Sequence, residues 1–566
     1  MERAVKIDTR IAGLIAVYFA KVFTTVFAVV FATTGMLGAN FAYAEGDMLT
    51  DEAAAPMQLT GLKAEAAALV GANKKLTQEI VDSLFSFSEL GFQEFETQRY
   101  LTDMLQSNGF TVERGASVSG LPSAWWATWG SGKPVIALGS DVDGIPKSSQ
   151  LPGVAYRKAL VEGAPGHGEG HNSGQAVNIT AALAVKAIME RDGLPGTIVI
   201  WPGIAEELVG SKAWYARDGR YDDVDAVLFT HVSDELSVAW GQATGTGLVS
   251  VEYTFDGQSA HAAGDPWKGR SALDAVELMN VGWNFKREHL RPLQRSHYVV
   301  VDGGDQPNVV PSKASVWYFI REITADHIRS NFESLQNIAE GAAMMTGTSV
   351  SRRIIGTAYP RHFNKPIAEA MYENIRSVGM PAWSEDDQAF ARAFQDFMQA
   401  DDDDQVDGLN TEVGDLAAPR EEPKSGGSDD IGDVSWSVPT VTLRFPSNID
   451  GRTGHHWSSA IAMATPIAHK GATAGAKVIA ATMLDLLQSK ELRSSAWTYF
   501  REEQTVNETY VPFIGSDDPP AIEKNAEIMG QYKEELSKFY YDPSKYATYL
   551  EQLGIDYPQL MDPDSE

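Results

Sequence analysis

The chain has 566 residues, more than one ordinary domain core holds, and this length predicts two or more domains. Its 43% apolar and 22% charged residues are typical of a globular protein. The formal net charge of -30 argues against a nucleic-acid partner, because binding phosphates requires clustered Lys and Arg. The absence of cysteine excludes disulfides and thiolate ligands, so any metal site must use His, Asp and Glu.

Residues 1–44 have the pattern of a signal peptide. Arg3, Lys6 and Arg10 precede an apolar stretch at 11–37, and an Ala-x-Ala cleavage pattern ends at Ala44. We therefore expect export to the periplasm or the cell exterior. The alternative is an uncleaved membrane anchor, because the apolar stretch is long enough to span a bilayer.

Helical and strand patterns alternate in the region 45–244. The predicted elements are a helix at 80–105, strands at 123–129 and 135–139, a helix at 174–191, a strand at 197–203, a helix at 210–218 and a strand at 225–230. Such alternation predicts an α/β domain in which helices cover a mixed, largely parallel sheet.

A second, smaller α+β domain is predicted at 245–358. Its elements are strands at 247–257 and 314–323 and helices at 271–287 and 325–345. The first domain resumes at 359–493, with a strand at 439–444 and a helix at 471–488, so the smaller domain is an insertion. An acidic stretch near 385–427 is interpreted as solvated surface, with calcium binding as an alternative. Residues 494–566 form a C-terminal extension.

Side chains that can bind metals follow three of the predicted strands. Asp141 and Asp143 follow the strand at 135–139, Glu206 and Glu207 follow the strand at 197–203, and His231 follows the strand at 225–230. Because ligands collect at the carboxyl ends of strands in open α/β sheets, we expect these side chains to converge.

The segment 167–172, His-Gly-Glu-Gly-His-Asn, is the most specific motif in the chain. It places Glu169 and His171 in a glycine-rich loop, where glycines let the backbone aim neighbouring side chains at one point. The loop alone is equally compatible with a flexible segment that binds nothing. Together with the three strand ends it favours a metal site.

These motifs occur in a recognisable order. Asp-Val-Asp-Gly-Ile-Pro at 141–146, the loop at 167–172, Glu206-Glu207, His231 and Ser-Ala-His-Ala-Ala at 259–263 together resemble the metallo-aminoacylase and hippurate-hydrolase-like amidohydrolases. Within that family the chain is most similar to the branch that contains the B-type subunit of p-aminobenzoyl-glutamate hydrolase. The resemblance covers about residues 59–487.

The resemblance implies two divalent metal ions, Zn or Mn. Glu169 stands where other members carry a bridging cysteine, and His455 is preferred over the adjacent His456 as the last ligand. A carboxylate can bridge two ions, although it leaves the identity of the metal open. The implied ligands are Glu169, His171, Glu207, His231 and His455.

The resemblance also implies catalytic roles. Glu206 would be the general base, and Asp141 and Asp143 would orient ligands such as His171, although a direct ligand role for Asp141 is an alternative. His261 of the inserted dimerisation domain would reach an active site and stabilise the tetrahedral oxyanion.

Asn308 and Arg321 resemble the residues with which the family contacts the carboxylate of the substrate. For Arg321 the alternative is a surface charge on a strand. The implied function is hydrolysis of an N-acyl or N-aroyl amino acid, such as p-aminobenzoyl-glutamate, or of a dipeptide. The implied assembly is a homodimer, with a second type of subunit as a further option.

Two other classes of function compete with the hydrolase. One is a binding module with an incomplete metal site and no turnover. The other is a structural or interaction protein whose working surface is the Tyr- and Pro-rich extension at 494–566.

Overall fold

The computed structural model describes residues 58–243, 245–398, 407–416, 418–420, 424 and 426–561. The predicted signal peptide and the acidic run 401–404 lie outside these residues. Among the helices that the structure does describe, none is both long and apolar enough to cross a membrane.

Thirteen strands form three sheets within the described residues. Their bounds are β1 (Thr111–Arg114), β2 (Trp125–Ser131), β3 (Val135–Asp141), β4 (Gly196–Gly203), β5 (Ala226–Ser233), β6 (Ser237–Val238), β7 (Gly241–Gln242), β8 (Gly247–Asp256), β9 (Arg295–Asp302), β10 (Lys313–Glu322), β11 (Ser349–Ala358), β12 (His362–Phe363) and β13 (Thr440–Pro446).

The largest sheet has seven strands in the order β1-β2-β4-β3-β5-β13-β6. The four central strands, β4, β3, β5 and β13, run parallel, whereas β1, β2 and β6 pair antiparallel at the two sides. The predicted α/β class with a mixed, largely parallel sheet is therefore confirmed.

Helices surround this sheet and the second one. Their bounds are α1 (Gly61–Ala72), α2 (Lys74–Phe87), α3 (Phe95–Ser107), α4 (Gly174–Asp192), α5 (Lys212–Arg217), α6 (Ala272–Arg287), α7 (Ala325–Thr346), α8 (Lys365–Val378), α9 (Glu385–Met398), α10 (Ile431–Ser435), α11 (Pro466–Gln488), α12 (Lys490–Tyr499), α13 (Ala526–Ser537) and α14 (Tyr549–Leu553).

Helix α11 packs closely on β13 because of its small residues. A Cβ at Gly471 would lie 2.0 Å from the carbonyl oxygen of Pro446, and one at Gly475 would lie 2.9 Å from Cβ of Phe445. Larger residues at these positions would push the helix away from the sheet, so the small-residue pattern allows the close contact.

The second sheet is antiparallel, in the order β11-β8-β10-β9, and helices α6 and α7 pack against it. The sequence pattern predicts β8, β10 and both helices but misses β9 and β11. Strand β9 is an edge strand on which Val299, Val300 and Val301 are all exposed, so its apolar residues do not alternate as they would in a half-buried strand.

The prediction of one continuous helix at 80–105 is wrong. The structure divides it into α2 and α3, because the carboxylate of Glu89 accepts the backbone N–H groups of Glu96 and Thr97 at 2.9 Å each and so begins a new helix. Gly91, in the connecting loop, passes so close to the chain near Glu206 that an added Cβ would lie 2.7 Å from Cα of Ala205.

The acidic stretch is wrongly interpreted as solvated surface in its first part. Helix α9 forms there and buries Phe390 and Phe394 in a small apolar cluster. The side chain of Asp387 is also buried, where it pairs with Lys470 of α11. This part of the stretch is therefore packed structure.

The C-terminal extension packs against the domain of the seven-stranded sheet and against the domain of the four-stranded sheet. The indole N–H of Trp214 donates to the carbonyl of Asp518 at 3.0 Å, and Lys524 lies 2.7 Å from Glu252 of β8. Tyr549 is fully buried, and its backbone N–H donates to Asp82 of α2 at 3.0 Å. Much of the extension is thus held by internal contacts.

Candidate functional site

The predicted metal-binding side chains meet at the carboxyl ends of the parallel strands. Asp141 is the last residue of β3, Glu206 and Glu207 follow β4, and His231 lies near the end of β5. The loop that carries Glu169 connects β3 with α4 over the same edge of the sheet. This is where parallel strands bring their following loops together.

Glu169 lies at the centre of the cluster. Its Oε1 is 3.4 Å from Nε2 of His231, and its Oε2 is 3.0 Å from Nε2 of His455. The same His455 nitrogen is 3.3 Å from Oε2 of Glu207. The two oxygens of one carboxylate therefore face two different groups of ligands, as a bridging carboxylate does.

Asp143 orients two members of the cluster. Its Oδ1 is 3.3 Å from Nδ1 of His171, and its Oδ2 accepts the backbone N–H of Glu207 at 3.1 Å. These contacts fix the His171 ring with Nε2 directed away from Asp143. Asp143 is thus in a position from which it can orient His171.

Nε2 of His171 and Oε1 of Glu207 are both buried without a hydrogen-bond partner among the described residues. An unpaired buried polar atom costs roughly 1–3 kcal/mol, so native proteins rarely leave one. Glu169, His171, Glu206 and Glu207 offer ligand atoms within 4.8 Å of one another. The donor set and its unpaired atoms fit divalent metal ions.

Nε2 is also the available nitrogen of His231. Its Nδ1 is occupied, since the carbonyl oxygen of Val232 lies 2.8 Å away and Nη1 of Arg444 lies 2.6 Å away. Burial, followed by the charge of Arg444, lowers the pKa of His231 to about 4. The imidazole is therefore neutral at neutral pH, as a metal ligand must be.

The carboxylates of the cluster differ in electrostatics. Burial and the neighbouring charge of Glu169 raise the pKa of Glu207 well above its ordinary value. Burial also opposes ionisation of Glu169, but hydrogen bonds from His231 and His455 hold its pKa well below the ordinary value. Several buried carboxylates can all ionise only if cations compensate them, which again suits a metal centre.

Strained backbone conformations surround the ligands. Ala205 and Val209, which flank the Glu206–Leu208 turn, have φ of 50° and 49°, and His455 has φ of 51°. Such values are unfavourable for residues with a Cβ, particularly for a branched residue such as valine. Strain of this kind is concentrated at functional sites, where the surrounding structure enforces it.

The structure distinguishes the two adjacent histidines. His455 points at Glu169 and Glu207, whereas Nδ1 of His456 lies 3.0 Å from Oγ of Ser458 and its ring packs near Trp457. His455 therefore lies beside the candidate ligands, whereas the ring of His456 is engaged elsewhere.

Behind the cluster lies a buried cation that the sequence analysis missed. Lys212 of α5 is fully buried, and its Nζ is 2.6 Å from Oδ1 of Asp141 and 3.9 Å from Oδ1 of Asp429, and it also pairs with Asp430. Although burial opposes its charge, these carboxylates hold the pKa of Lys212 well above the ordinary value.

Asp141 consequently has a different environment from Asp143. One of its oxygens is bound by Lys212, and the other, Oδ2, is buried without a partner among the described residues. Asp141, His171 and His231 also offer ligand atoms within 4.8 Å of one another. Through its ion pair with Lys212, Asp141 connects the cluster to α5.

A cavity of about 350 Å³ opens beside the cluster, and its wall carries three arginines, Arg321, Arg361 and Arg444. Nε of Arg321 is buried without a partner among the described residues, and its Nη1 lies 3.2 Å from Nδ1 of His297. Arg361 lies 3.4 Å from Asp429. Arg321 is therefore part of the cavity wall and not merely a charge on the surface of a strand.

Arg361, Arg444 and Asp429 were not identified from the sequence. Arg444 is near the end of β13, so the rule that located Asp141 and His231 would have found it. Asp429 follows a Gly- and Ser-rich loop without such a signal.

His261 and Asn308 do not reach the cavity of their own chain. Both are exposed, and Nδ1 of His261 accepts the backbone N–H of Gly264 at 2.9 Å. The main-chain carbonyl of Asn308 accepts the N–H of Ala262 at 3.0 Å. Their predicted roles thus require a second copy of the chain.

Comparison with known proteins gives consistent similarities. Residues 245–344 match the peptidase dimerisation domain family. The chain is 33% identical to the B-type subunit of p-aminobenzoyl-glutamate hydrolase of Escherichia coli over 462 residues, covering 78% of this chain and 94% of that protein. It is 28% identical to the Xaa-Arg dipeptidase of Mus musculus over 308 residues, covering 54% of this chain and 68% of that protein.

Among solved structures, a proposed aminohydrolase from methicillin-resistant Staphylococcus aureus is similar, with a TM-score of 0.53 and 18% identity. The match covers 75% of this chain and 99% of that protein. At this level of identity the likeness shows a common fold.

Proposed function

Because the chain belongs to the M20 peptidase family, on the branch of the B-type subunit of p-aminobenzoyl-glutamate hydrolase, we propose that it hydrolyses the amide bond of an N-acyl or N-aroyl amino acid or a dipeptide. The observation that carries this proposal is the placement of Glu169 between two groups of ligands, with Glu206 and three arginines in the same cavity.

The ligand set supports two divalent ions that share Glu169. His171 and His231 would complete one site, and Glu207 and His455 would complete the other. Imidazole and carboxylate ligands suit zinc or manganese. When bound, such ions lower the pKa of a water molecule and polarise the scissile carbonyl.

Glu206 is suited to act as the general base. It is buried beside the ligands, where burial and the charges of Asp141 and Asp429 raise its pKa well above the ordinary value. It would take a proton from the attacking water and deliver it to the amide nitrogen. The water oxygen joins the carbonyl carbon, the C–N bond breaks, and a carboxylate and an amine leave.

The arginines of the cavity indicate an acidic substrate. Arg321 has an unpaired donor, and guanidinium groups bind carboxylates in a bidentate manner. Arg361 and Arg444 line the same wall, although Asp429 partly compensates Arg361. The unpaired donor of Arg321 supports a substrate with a free carboxylate, and we propose glutamate as the leaving amino acid.

The proposed enzyme is an exported homodimer. The predicted dimerisation domain supports the dimer, and the exposed position of His261 would let it enter the cavity of the other copy and stabilise the oxyanion. The predicted signal peptide supports export. A second type of subunit is a further option, since the name of the relative in Escherichia coli describes it as one of the subunits of its enzyme.

The test is hydrolysis of a panel of N-acyl and N-aroyl amino acids and dipeptides by the mature protein from Glu45. The protein is stripped of metal and then reloaded with Zn or Mn, and Glu206→Gln is measured in parallel. We expect release of an amino acid only with metal, a loss of at least 100-fold in kcat for Glu206→Gln, and unchanged metal content.

Arg321→Lys, with Arg353→Lys as a control outside the cavity, tests the carboxylate contact. We expect Arg321→Lys to raise KM for substrates with a free carboxylate, because lysine cannot form the bidentate contact. Metal-loaded protein that hydrolyses no member of the panel would support a binding module. Full activity of Glu206→Gln would remove the proposed base.

A further inference from the structure

A second cavity, of about 480 Å³, is separate from the metal centre. It is formed by the first turns of α2, the end of α8 with the loop that follows it, and the first half of α11. No residue that lines the metal-site cavity also lines this one. We call it the lysine cavity, after lining residues Lys74, Lys75, Lys470 and Lys477.

The charge of the lysine cavity is opposite to that of the whole chain. The net charge of the protein is -30, yet four lysines and His469 line this cavity, and no described carboxylate does so. A concave surface with one sign of charge concentrates the field and attracts ions of the opposite sign.

Two of the lysines have acidic partners outside the cavity wall. Lys470 pairs with the buried carboxylate of Asp387, and Lys75 lies 3.4 Å from Glu79. These contacts hold the two ammonium groups in place and leave part of each accessible, since their side chains are 34% and 51% exposed.

The side chains of the other two lysines, Lys74 and Lys477, make no hydrogen bond or ion pair with the described residues. His469 is held by Asp82, at 2.6 Å between Nε2 and Oδ1. No described contact therefore compensates the charges of Lys74 and Lys477. The other three groups, Lys75, Lys470 and His469, are each held by an acidic partner.

The first turn of α2 adds to the positive potential. Helix α2 begins at Lys74, and the first half of α11 contributes His469, Lys470 and Lys477. Neither helix has an acidic residue in its first turn. Lys74 and Lys75 lie in the first turn of α2, the positive end of the helix dipole, where acidic residues are normally favoured, whereas Lys470 and Lys477 lie beyond the first turn of α11.

Besides these cations, Gln78, Gly379 and Thr473, the wall is apolar. The apolar part consists of Val378, Met380, Pro381, Ala382 and Ala474. A bare inorganic ion would leave these side chains in contact with water, whereas an apolar group of a ligand would cover them.

We propose that the lysine cavity binds a small organic anion that has an apolar body and a carboxylate or phosphate head group. The ammonium groups of Lys74 and Lys477 contact the head group, and the wall from Val378 to Ala382 contacts the apolar body. This site does not depend on the proposed hydrolysis.

The experiment is calorimetric titration of the full-length, metal-free protein, since removal of metal prevents binding of the probes to ions in the other cavity. Phenylphosphonate and phenylacetate have the two head groups on an apolar ring. Inorganic phosphate lacks the ring, and benzyl alcohol lacks the charge. We expect one site per chain that depends on Lys74 and Lys477, with one of the aromatic anions at least tenfold tighter than phosphate or benzyl alcohol, and weakening at high salt.

The variant Lys74→Ala/Lys477→Ala should weaken binding at least tenfold. The control Lys286→Ala/Lys313→Ala removes the same formal charge from the second domain and should leave binding unchanged. Neither Lys74 nor Lys477 makes a described polar contact, so the variant is expected to fold, which its Tm checks. Equal affinity in both variants, or no saturable binding of either aromatic anion, would overturn the proposal.

Discussion

Individual side chains decide which of two neighbouring histidines completes the candidate metal centre. His455 has an unfavourable backbone conformation that directs its ring at Glu169 and Glu207, whereas His456 is engaged by Ser458. A strained candidate ligand next to an unstrained neighbour suits a site at which the fold holds one of the two histidines in place.

We expect His455→Ala to lose one of two bound metal ions per chain, because the proposed site that contains Glu207 would lack a ligand. We also expect kcat to fall at least 100-fold. His456→Ala is the matched control and should keep both ions. Metal content by plasma mass spectrometry, measured with hydrolysis, checks this. If His456→Ala loses the ion and His455→Ala keeps it, His456 is the ligand and not His455.

A single side chain, Lys212, also holds together the buried ion-pair network behind the candidate metal centre. Lys212 compensates Asp141, Asp429 and Asp430, and a methionine of similar length would leave Asp141 and Asp430 buried without this cation, whereas Asp429 would keep Arg361.

We therefore expect Lys212→Met to lower the free energy of unfolding by about 3–5 kcal/mol. Lys365→Met is the control, since Lys365 is partly exposed and lies 3.7 Å from Glu369, and it should have little effect. Urea denaturation of the two variants measures the difference. Equal stability would mean that the network is not held by Lys212.

Among the helices, α9 shows how a local pattern and a distant contact combine. Ser384 and Asp387 form a reciprocal cap, since Oγ of Ser384 accepts the N–H of Asp387 at 3.2 Å and the carboxylate of Asp387 accepts the N–H of Ser384 at 2.8 Å. Burial opposes ionisation of Asp387, but hydrogen bonds from Lys470 and Ser384 hold its pKa below the ordinary value.

Asp387→Asn should lower stability by about 1.5–3 kcal/mol at pH 7, the usual contribution of a hydrogen bond to a charged group. Because the folded pKa is depressed, the contribution of Asp387 is complete above its unfolded pKa and is lost as the pH falls through the folded value. The difference between variant and wild type should therefore shrink below about pH 4. Denaturation at pH 7, 5 and 3 measures it. A difference that does not change with pH would contradict the ionised pair.

At the scale of the whole molecule, the second sheet leaves an apolar surface uncovered. The edge strand β9 exposes Val299, Val300 and Val301, and helix α6 exposes Val281 and Phe285. An exposed apolar edge is avoided in monomers because it pairs with other chains. In a peptidase dimerisation domain it is a suitable interface.

We expect the protein to sediment as a dimer in analytical ultracentrifugation, and Val281→Asp/Val300→Asp to sediment as a monomer. The monomer should also lose hydrolysis, because His261 does not reach the cavity of its own chain. Met344→Ser/Met345→Ser, at the exposed end of α7, is the control and should stay dimeric. A fully active monomeric variant would rule out a role for His261 of another copy.

Local sequence patterns were sufficient for much of this architecture. The strands that carry or precede Asp141, Glu206 and His231 are short apolar runs, and their parallel arrangement follows from their alternation with helices. The same reasoning failed at the edges, for β9 and β11, because edge strands lack the burial that produces a regular pattern.

The sequence by itself determined the order of the motifs, the set of candidate ligands and the position of Glu206 beside Glu207. Only the tertiary structure placed Lys212 against Asp430, since 218 residues separate them along the chain. It also brought Arg321 of the second sheet into the cavity and assembled the lysine cavity from three distant helices. The physical reason is that periodicity reports which face of an element is buried, whereas contacts between elements depend on the packing of the whole chain.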